Sequence, residues 1–205
     1  MSLRDATDLF GEWADKGKDR GMEKGHANSV HDMLKIAALP RKSNFTAIDV
    51  GCGNGWVCRL IGEDEFCSRI VGVDGSQKMV EKAKSLDADG EYYVAKLPHW
   101  KPDTTFDLIH SMEFLYYLKE PEKMLKAFHD IWLKSGGMAV IGIDHYLENE
   151  DSLDWAEALN VHMSTRSEKQ WEKAMLDAGF VDVSLHRVGV RDGFVGTLAM
   201  VGYKS

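Results

Sequence analysis

The chain has 205 residues, 44% of them apolar, and a formal net charge of −8. That length buries roughly 70% of the surface an unfolded chain exposes and suits one domain. The negative balance, with no Lys/Arg run interleaved with aromatics, argues against nucleic acid as a partner. No apolar run approaches the ~18 residues of a membrane span and the first residues carry no leader pattern, so the expectation is a soluble, cytoplasmic protein without a membrane partner. Cys52, Cys58 and Cys67 have neither the C-x2-C spacing of a zinc site nor the even count of a disulfide framework.

The first segment, residues 8 to 30, mixes glycines with many charges and offers few apolar residues, which predicts a mobile cover that docks weakly. From 23 to 38, Val30, Met33, Leu34 and Ala37 recur at helical spacing and the pattern ends before Pro40. Short runs rich in β-formers follow at 45–50, 69–74, 91–95, 106–111 and 137–144. Helical patterns lie between most of them: 76–86, with Met79, Val80 and Ala83 on one face behind Ser76 as a cap, and 121–133, opened by Pro121. Strands alternating with helices imply a doubly wound α/β fold with a mainly parallel sheet. The tail breaks the rhythm. A helix over 167–180, capped by Ser167 and stopped by Gly179, is followed by "VDVSLHRV" and "GTLAMVGY" with only a short loop between, so the last two strands form a hairpin. The division expected is one domain over 1–205: a helical cover to 40, a cofactor-binding half over 41–144, and an insertion, helix and hairpin over 145–205.

The stretch "AIDVGCGNGW" sets Gly51, Gly53 and Gly55 at alternate positions behind the first strand. A strand, a glycine turn and a helix near Trp56 would aim backbone N–H groups at a ligand. The dinucleotide fingerprint G-x-G-x-x-G fails, because its third glycine position holds Trp56. Asp49, two residues before Gly51, would repel a pyrophosphate and could instead accept from an ammonium group. The second strand ends at Asp74, 23 residues after Gly51, where doubly wound folds place an acid that takes a ribose diol. A ribonucleoside joined to an amino acid satisfies both acids, and S-adenosylmethionine is such a molecule.

Together, "AIDVGCGNGW", "VGVDGSQKMVEKAK", "LPHWKPDTTFDLIHS", "GGMAVIGID" and "AGFVDVSL" resemble the ordered signature blocks of the class I S-adenosylmethionine-dependent methyltransferases, over residues 45 to 203. The resemblance implies a seven-stranded sheet in the order 3-2-1-4-5-7-6 with the last strand antiparallel. It places Asp49, Gly51, Cys52 and Gly53 at the methionine end, Asp74 on the ribose, Gly75 and Met79 beside the adenine, Leu97 over the base, and Ser111 and Met112 near the methionine moiety. Many relatives carry an Asp before the "LP" pair. Ala95 and Lys96 stand there in this chain, so adenine recognition through backbone atoms is implied instead.

Methyl transfer from a sulfonium is an in-line displacement that needs alignment and exclusion of water more than side-chain chemistry. Glu113, Tyr116 and Tyr117 after the fourth strand, and His145 and Tyr146 after the fifth, are the candidates to shape a small-molecule acceptor pocket. His145, beside Asp144, is the candidate general base, with Glu113 as the competing carboxylate. His26 and His31 lack the i, i+4 spacing of a helical metal pair and read as packed or solvated, so no metal is expected. Trp13, Trp155 and Trp171 read as packing residues. Two other functions stay open at this level: a non-catalytic S-adenosylmethionine-binding subunit, and an NAD-dependent oxidoreductase, which the displaced glycine argues against.

Overall fold

The computed structural model describes residues 2–37 and 43–205, so Pro40, the expected helix stop, lies outside the described residues. Seven strands, β1 (Phe45–Val50), β2 (Cys67–Asp74), β3 (Glu91–Val94), β4 (Phe106–Met112), β5 (Leu133–Ile143), β6 (Val181–Val188) and β7 (Thr197–Tyr203), form one sheet in the order β3-β2-β1-β4-β5-β7-β6. The first five are parallel, while β7 runs antiparallel to both β5 and β6. This is the order the family resemblance implies, and the closing hairpin is the one the missing crossover helix demanded.

Side chains alternate along a strand, so each central strand feeds two cores. Ile48, Ile109 and Ile141 pack with Phe128, Trp132 and Trp171 on one face. Their neighbours Ala47, Leu108 and Val140 pack with Val30 and Met33 on the other. Strands buried on both faces explain why the sequence shows apolar runs rather than strict alternation.

Helices α3 (Trp56–Gly62), α4 (Gln77–Leu86), α5 (Pro121–Ala127) and α7 (Glu168–Ala178) fall where the sequence places them. The capping box at Ser167 forms with Gln170, and Gly179 ends α7 at φ 107°. Ser76 does not cap α4 with its hydroxyl; its backbone N–H is turned to Asp74 instead. After α5 the chain widens into a π turn over Phe128–Trp132, and β5 starts at Leu133, four residues before the expected 137. Gly136 at φ 77° bends the strand there.

The N-terminal segment departs most from expectation. It forms two helices, α1 (Ala6–Asp15) and α2 (Asp19–Ile36), and it is packed down. Leu9, Val30 and Met33 are buried. Asp19, also buried, receives Lys82 Nζ at 2.6 Å and Asn54 Nδ2 at 2.9 Å, tying the start of α2 to α4 and to the glycine loop. The ion pair thus adds to the burial of Leu9, Val30 and Met33 in the two cores in holding the segment down. Residues 145–166 hold a short 3-10 turn (Glu150–Ser152) and helix α6 (Trp155–Leu159).

Candidate functional site

A cavity of about 880 Å³ opens at the carboxyl ends of β1, β2 and β4, roofed by α1 and α2. Its size lies within the ~300–1,000 Å³ usual for small-molecule sites, at the edge where open α/β sheets bind ligands. Of the sequence-predicted residues it is lined by Asp49, Gly51, Cys52, Gly53, Asp74, Gly75, Met79, Ala95, Lys96, Leu97, Met112 and Glu113.

The glycine loop is built differently from the expectation. Gly51 and Cys52 N–H both donate to the Val73 carbonyl, at 2.8 and 3.0 Å, and Gly55 N–H donates to the Cys52 carbonyl at 2.9 Å. Gly53 N–H donates to Asp74 Oδ2 at 2.9 Å, and Trp56 N–H to Asn54 Oδ1 at 3.1 Å. These amides are spent within the turn rather than aimed at a ligand. The glycines are needed for shape: Gly51, Gly53 and Gly55 have φ of 79°, 51° and 76°. A Cβ on Gly55 would come within 2.6 Å of the Tyr92 ring.

Asp74 sits half-buried at the cleft, accepting Gly53 N–H through Oδ2 and Ser76 N–H at 2.7 Å through Oδ1. Each carboxylate oxygen keeps a second acceptor position, which leaves a pair of acceptors for a vicinal diol. Desolvation raises its pKa, and the two backbone donors work against that rise.

Asp49 is not a free acid at the mouth of the turn. It is buried in β1, with His110 Nδ1 at 2.7 Å from Oδ1 and the Cys58 thiol at 3.8 Å from Oδ2. His110 lies directly across from Asp49 in the parallel β1–β4 register; the expected strand order makes the two strands neighbours but does not set that register. Its Nε2 is buried without a hydrogen-bond partner. Cys52 and Cys58 are buried thiols; contact with Cys58 and desolvation push Cys52 well up, and desolvation raises Cys58. Ser111 does not line the cavity. Its hydroxyl donates to the Val50 carbonyl at 2.8 Å and locks β4 to β1.

At the other end of the cavity, Glu113 follows β4 at φ 57°, a left-handed conformation uncommon for a non-glycine residue and one that marks functional turns. Its Oε1 accepts Asp144 N–H at 2.5 Å and its Oε2 accepts the Tyr116 hydroxyl at 2.6 Å. Burial, with the nearby Asp144 charge, pushes Glu113 up to about 8. Asp144, buried behind it, accepts the Thr197 hydroxyl at 2.6 Å. His26 Nε2 from α2 lies 3.4 Å from Asp144 Oδ2. Burial, which would lower the His26 pKa, is outweighed by Asp144 and Glu113 together, so it is raised. Polar atoms of His26, Glu113 and Asp144 all lie within 4.8 Å of one another.

His145 is elsewhere. Successive residues point to opposite sides, so while Asp144 turns to this cluster, His145 turns into the 145–166 segment. There its Nδ1 meets the Ser152 carbonyl at 2.9 Å and its Nε2 the Thr165 hydroxyl at 2.8 Å. It is fully buried, burial lowers its pKa, and it does not line the cavity. The expectation of His145 as the base is corrected on geometry, and His26, read from sequence as bland, takes its place beside Asp144. Tyr146 likewise turns away, donating to the Gly196 carbonyl at 2.8 Å. Tyr116 and Tyr117 do line the cavity, as do Trp13 and Trp155; Trp171 is core.

The family model for a methyltransferase domain matches residues 5–185. A chain of the Haloferax volcanii complex that contains the Trm112 methyltransferase activator is 28% identical, with 98% of this chain and 99% of that one covered at a TM-score of 0.82. An S-adenosylmethionine-dependent methyltransferase from Mesorhizobium loti shares the fold at a TM-score of 0.69 and 21% identity, over 87% and 97% of the two chains. Trans-aconitate 2-methyltransferase of Escherichia coli (strain 55989 / EAEC) is 27% identical over 113 residues, 55% of this chain and 45% of that protein. The chain thus spans about half the length of the curated relatives it matches. With the family model covering most of the chain and the sheet in the order expected of class I methyltransferases, this chain belongs to the methyltransferase-domain family.

Proposed function

We propose that the chain methylates a small-molecule acceptor held in the same cavity as the methyl donor. The observation that carries this reading is the continuity of one roughly 880 Å³ cavity from Asp74 and the glycine loop to Glu113, Tyr116 and Tyr117, covered by α1 and α2. S-adenosylmethionine supplies an electrophilic methyl group on a sulfonium. The residues fit it: Asp74 keeps two acceptor positions for the ribose diol, and Ala95, Lys96 and Leu97 line the cavity where the base would sit. Gly51 and Gly53 permit close approach of the turn, Met112 and Glu113 flank the reacting end, and Phe10 and Trp13 from α1 exclude water. In-line geometry in a dry site supplies most of the acceleration such a reaction needs.

Titration calorimetry with S-adenosylhomocysteine tests the cofactor assignment. Saturable binding that Asp74→Ala weakens by at least tenfold is expected, from a lost charge-assisted interaction of about 1.5–3 kcal/mol. Binding of NAD in its place would overturn it. A protein partner is the second reading, favoured by the Haloferax volcanii chain, which matches over nearly its whole length and occurs with the Trm112 activator. Size-exclusion chromatography with a matching activator would separate a subunit that needs its partner for turnover from one that works alone.

A further inference from the structure

The cavity as a whole carries many more acids than lysines or arginines. Among the described residues six carboxylates line the cavity, from Asp5 to Glu113, against one lysine, the exposed Lys96, and no arginine. Asp19 is paired with Lys82, and Asp49 is held by a hydrogen bond with His110 Nδ1. Glu113 has no partner of opposite charge to itself, since its one cationic neighbour, His26, is set against Asp144. One imidazole, His26, therefore stands beside two acids, Asp144 and Glu113, and both Glu113 oxygens keep an acceptor position beyond the bonds from Asp144 N–H and Tyr116.

The walls suit a cation. Phe10, Trp13 and Tyr117 meet edge to face, with Phe10 5.4 Å from Trp13 and 5.3 Å from Tyr117, and all three line the cavity. Aromatic faces attract an ammonium group once it is desolvated. A di- or tricarboxylate would meet charge of its own sign with no arginine to grip it, so the acceptor class in the Escherichia coli relative's name is not the one this wall selects.

We propose that the methyl acceptor is an organic amine that enters as its ammonium ion, docks on Glu113 beneath Phe10, Trp13 and Tyr117, and loses its proton to Glu113 before methylation. This rests on the small-molecule reading above. Burial keeps Glu113 protonated at neutral pH, so the arriving cation first displaces that proton to solvent. The resulting carboxylate then takes one proton from R–NH3⁺, giving R–NH2 and the carboxylic acid. The nitrogen lone pair forms the N–CH3 bond as the S–CH3 bond breaks, the electron pair of that bond stays on sulfur, and the product leaves as a protonated secondary amine. Glu113 is the catalytic residue. Asp144 and His26 are positioning residues: the Asp144 N–H holds Oε1, and His26 with Asp144 sets the charge that Glu113 feels, together with the Tyr116 and Tyr117 hydroxyls from the turn after β4.

The test uses the full chain saturated with S-adenosylhomocysteine, titrated in two buffers of different ionisation enthalpy with ethylamine, spermidine, phenethylamine and tryptamine, and with phenethyl alcohol, phenylacetate and trans-aconitate. At neutral pH, binding of at least one amine with release of about one proton is expected, with the anions and alcohol at least tenfold weaker. Glu113→Gln should abolish the proton release and weaken the amine at least tenfold while leaving S-adenosylhomocysteine affinity within about twofold. Tyr116→Phe, a milder change, should give a smaller loss in the same direction if the glutamine variant folds poorly. Tighter binding of the carboxylates, amine binding that releases no proton and survives Glu113→Gln, or no amine binding at millimolar concentration overturns the proposal. Failure of S-adenosylhomocysteine itself to bind would overturn the methyl-transfer reading instead.

Discussion

The two ends of the cavity are made in opposite ways. The cofactor end comes from one strand–turn–helix unit and the strand beside it, residues 49 to 76, and nearly every polar group there is paired within that stretch or with the adjacent β4: Gly53 and Ser76 with Asp74, Asp49 with His110. The acceptor end draws Glu113, Tyr116, Asp144 and His26 from a turn, a strand end and the N-terminal cover, and it sets two acids, Glu113 and Asp144, beside one imidazole. A paired, local site is rigid and general. An unbalanced, assembled one is where a ligand completes the electrostatics.

Substitutions that break the cofactor end should therefore cost folding as well as binding. Gly55→Ala is expected to be the most damaging, by about 3 kcal/mol, because it adds left-handed strain at φ 76° to a clash 2.6 Å from the Tyr92 ring. Urea unfolding measures it, and a loss under about 1 kcal/mol would show that the loop yields. Asp74→Asn should weaken S-adenosylhomocysteine at least tenfold and also lower stability by about 1–2 kcal/mol, since the carboxylate closes the turn as well as facing the cleft. A pure binding loss would separate those two roles.

The acceptor end should behave inversely. Glu113 has its pKa raised in the folded state to about 8 from an ordinary value near 4.5. Between those values the native state holds a proton that the unfolded chain has released, so stability falls as pH rises through that window and levels off above it, at no more than about 1.4 kcal/mol per pH unit. Glu113→Gln removes that slope. The variant should match the wild type near pH 4.5 and exceed it by a few kcal/mol at most near pH 8, read from paired denaturant curves. Parallel curves across that range would mean that Glu113 stays ionised and that its charge is balanced after all. The smallest effect on ligand binding belongs to His145→Ala. Lying outside the cavity, it should leave S-adenosylhomocysteine affinity within about twofold while costing about 1–3 kcal/mol for the unpaired Ser152 and Thr165 groups.

Much of the cofactor end was legible because its parts are close in sequence. Gly51, Gly53 and Asp74 are joined by one crossover, and the strand patterns on either side fix where that crossover starts and stops. What the loop amides do was not legible. Whether Gly53 N–H meets a ligand or Asp74 depends on a bond between two turns. At the acceptor end Glu113, Tyr116 and Tyr117 could be picked out because they directly follow β4, at the ligand edge. His145 was chosen by the same rule and fails it, because a single residue step past β5 decides which side a side chain takes, and β5 ends at Ile143, one residue before the expected 144.

The sequence by itself determined the alternation of strands and helices, the antiparallel hairpin at the end, and the glycine turn after the first strand. Each rests on a local period, a cap or a glycine that neighbouring residues express without help. Only the tertiary structure decided which charges meet. His110 reaches Asp49 through strand register, 61 positions away. His26 reaches Asp144 because α2 packs over the end of β5. Such pairings come from packing between elements distant in the chain, and electrostatic energy in a buried site depends on those separations and on lost solvent, neither of which a linear pattern carries.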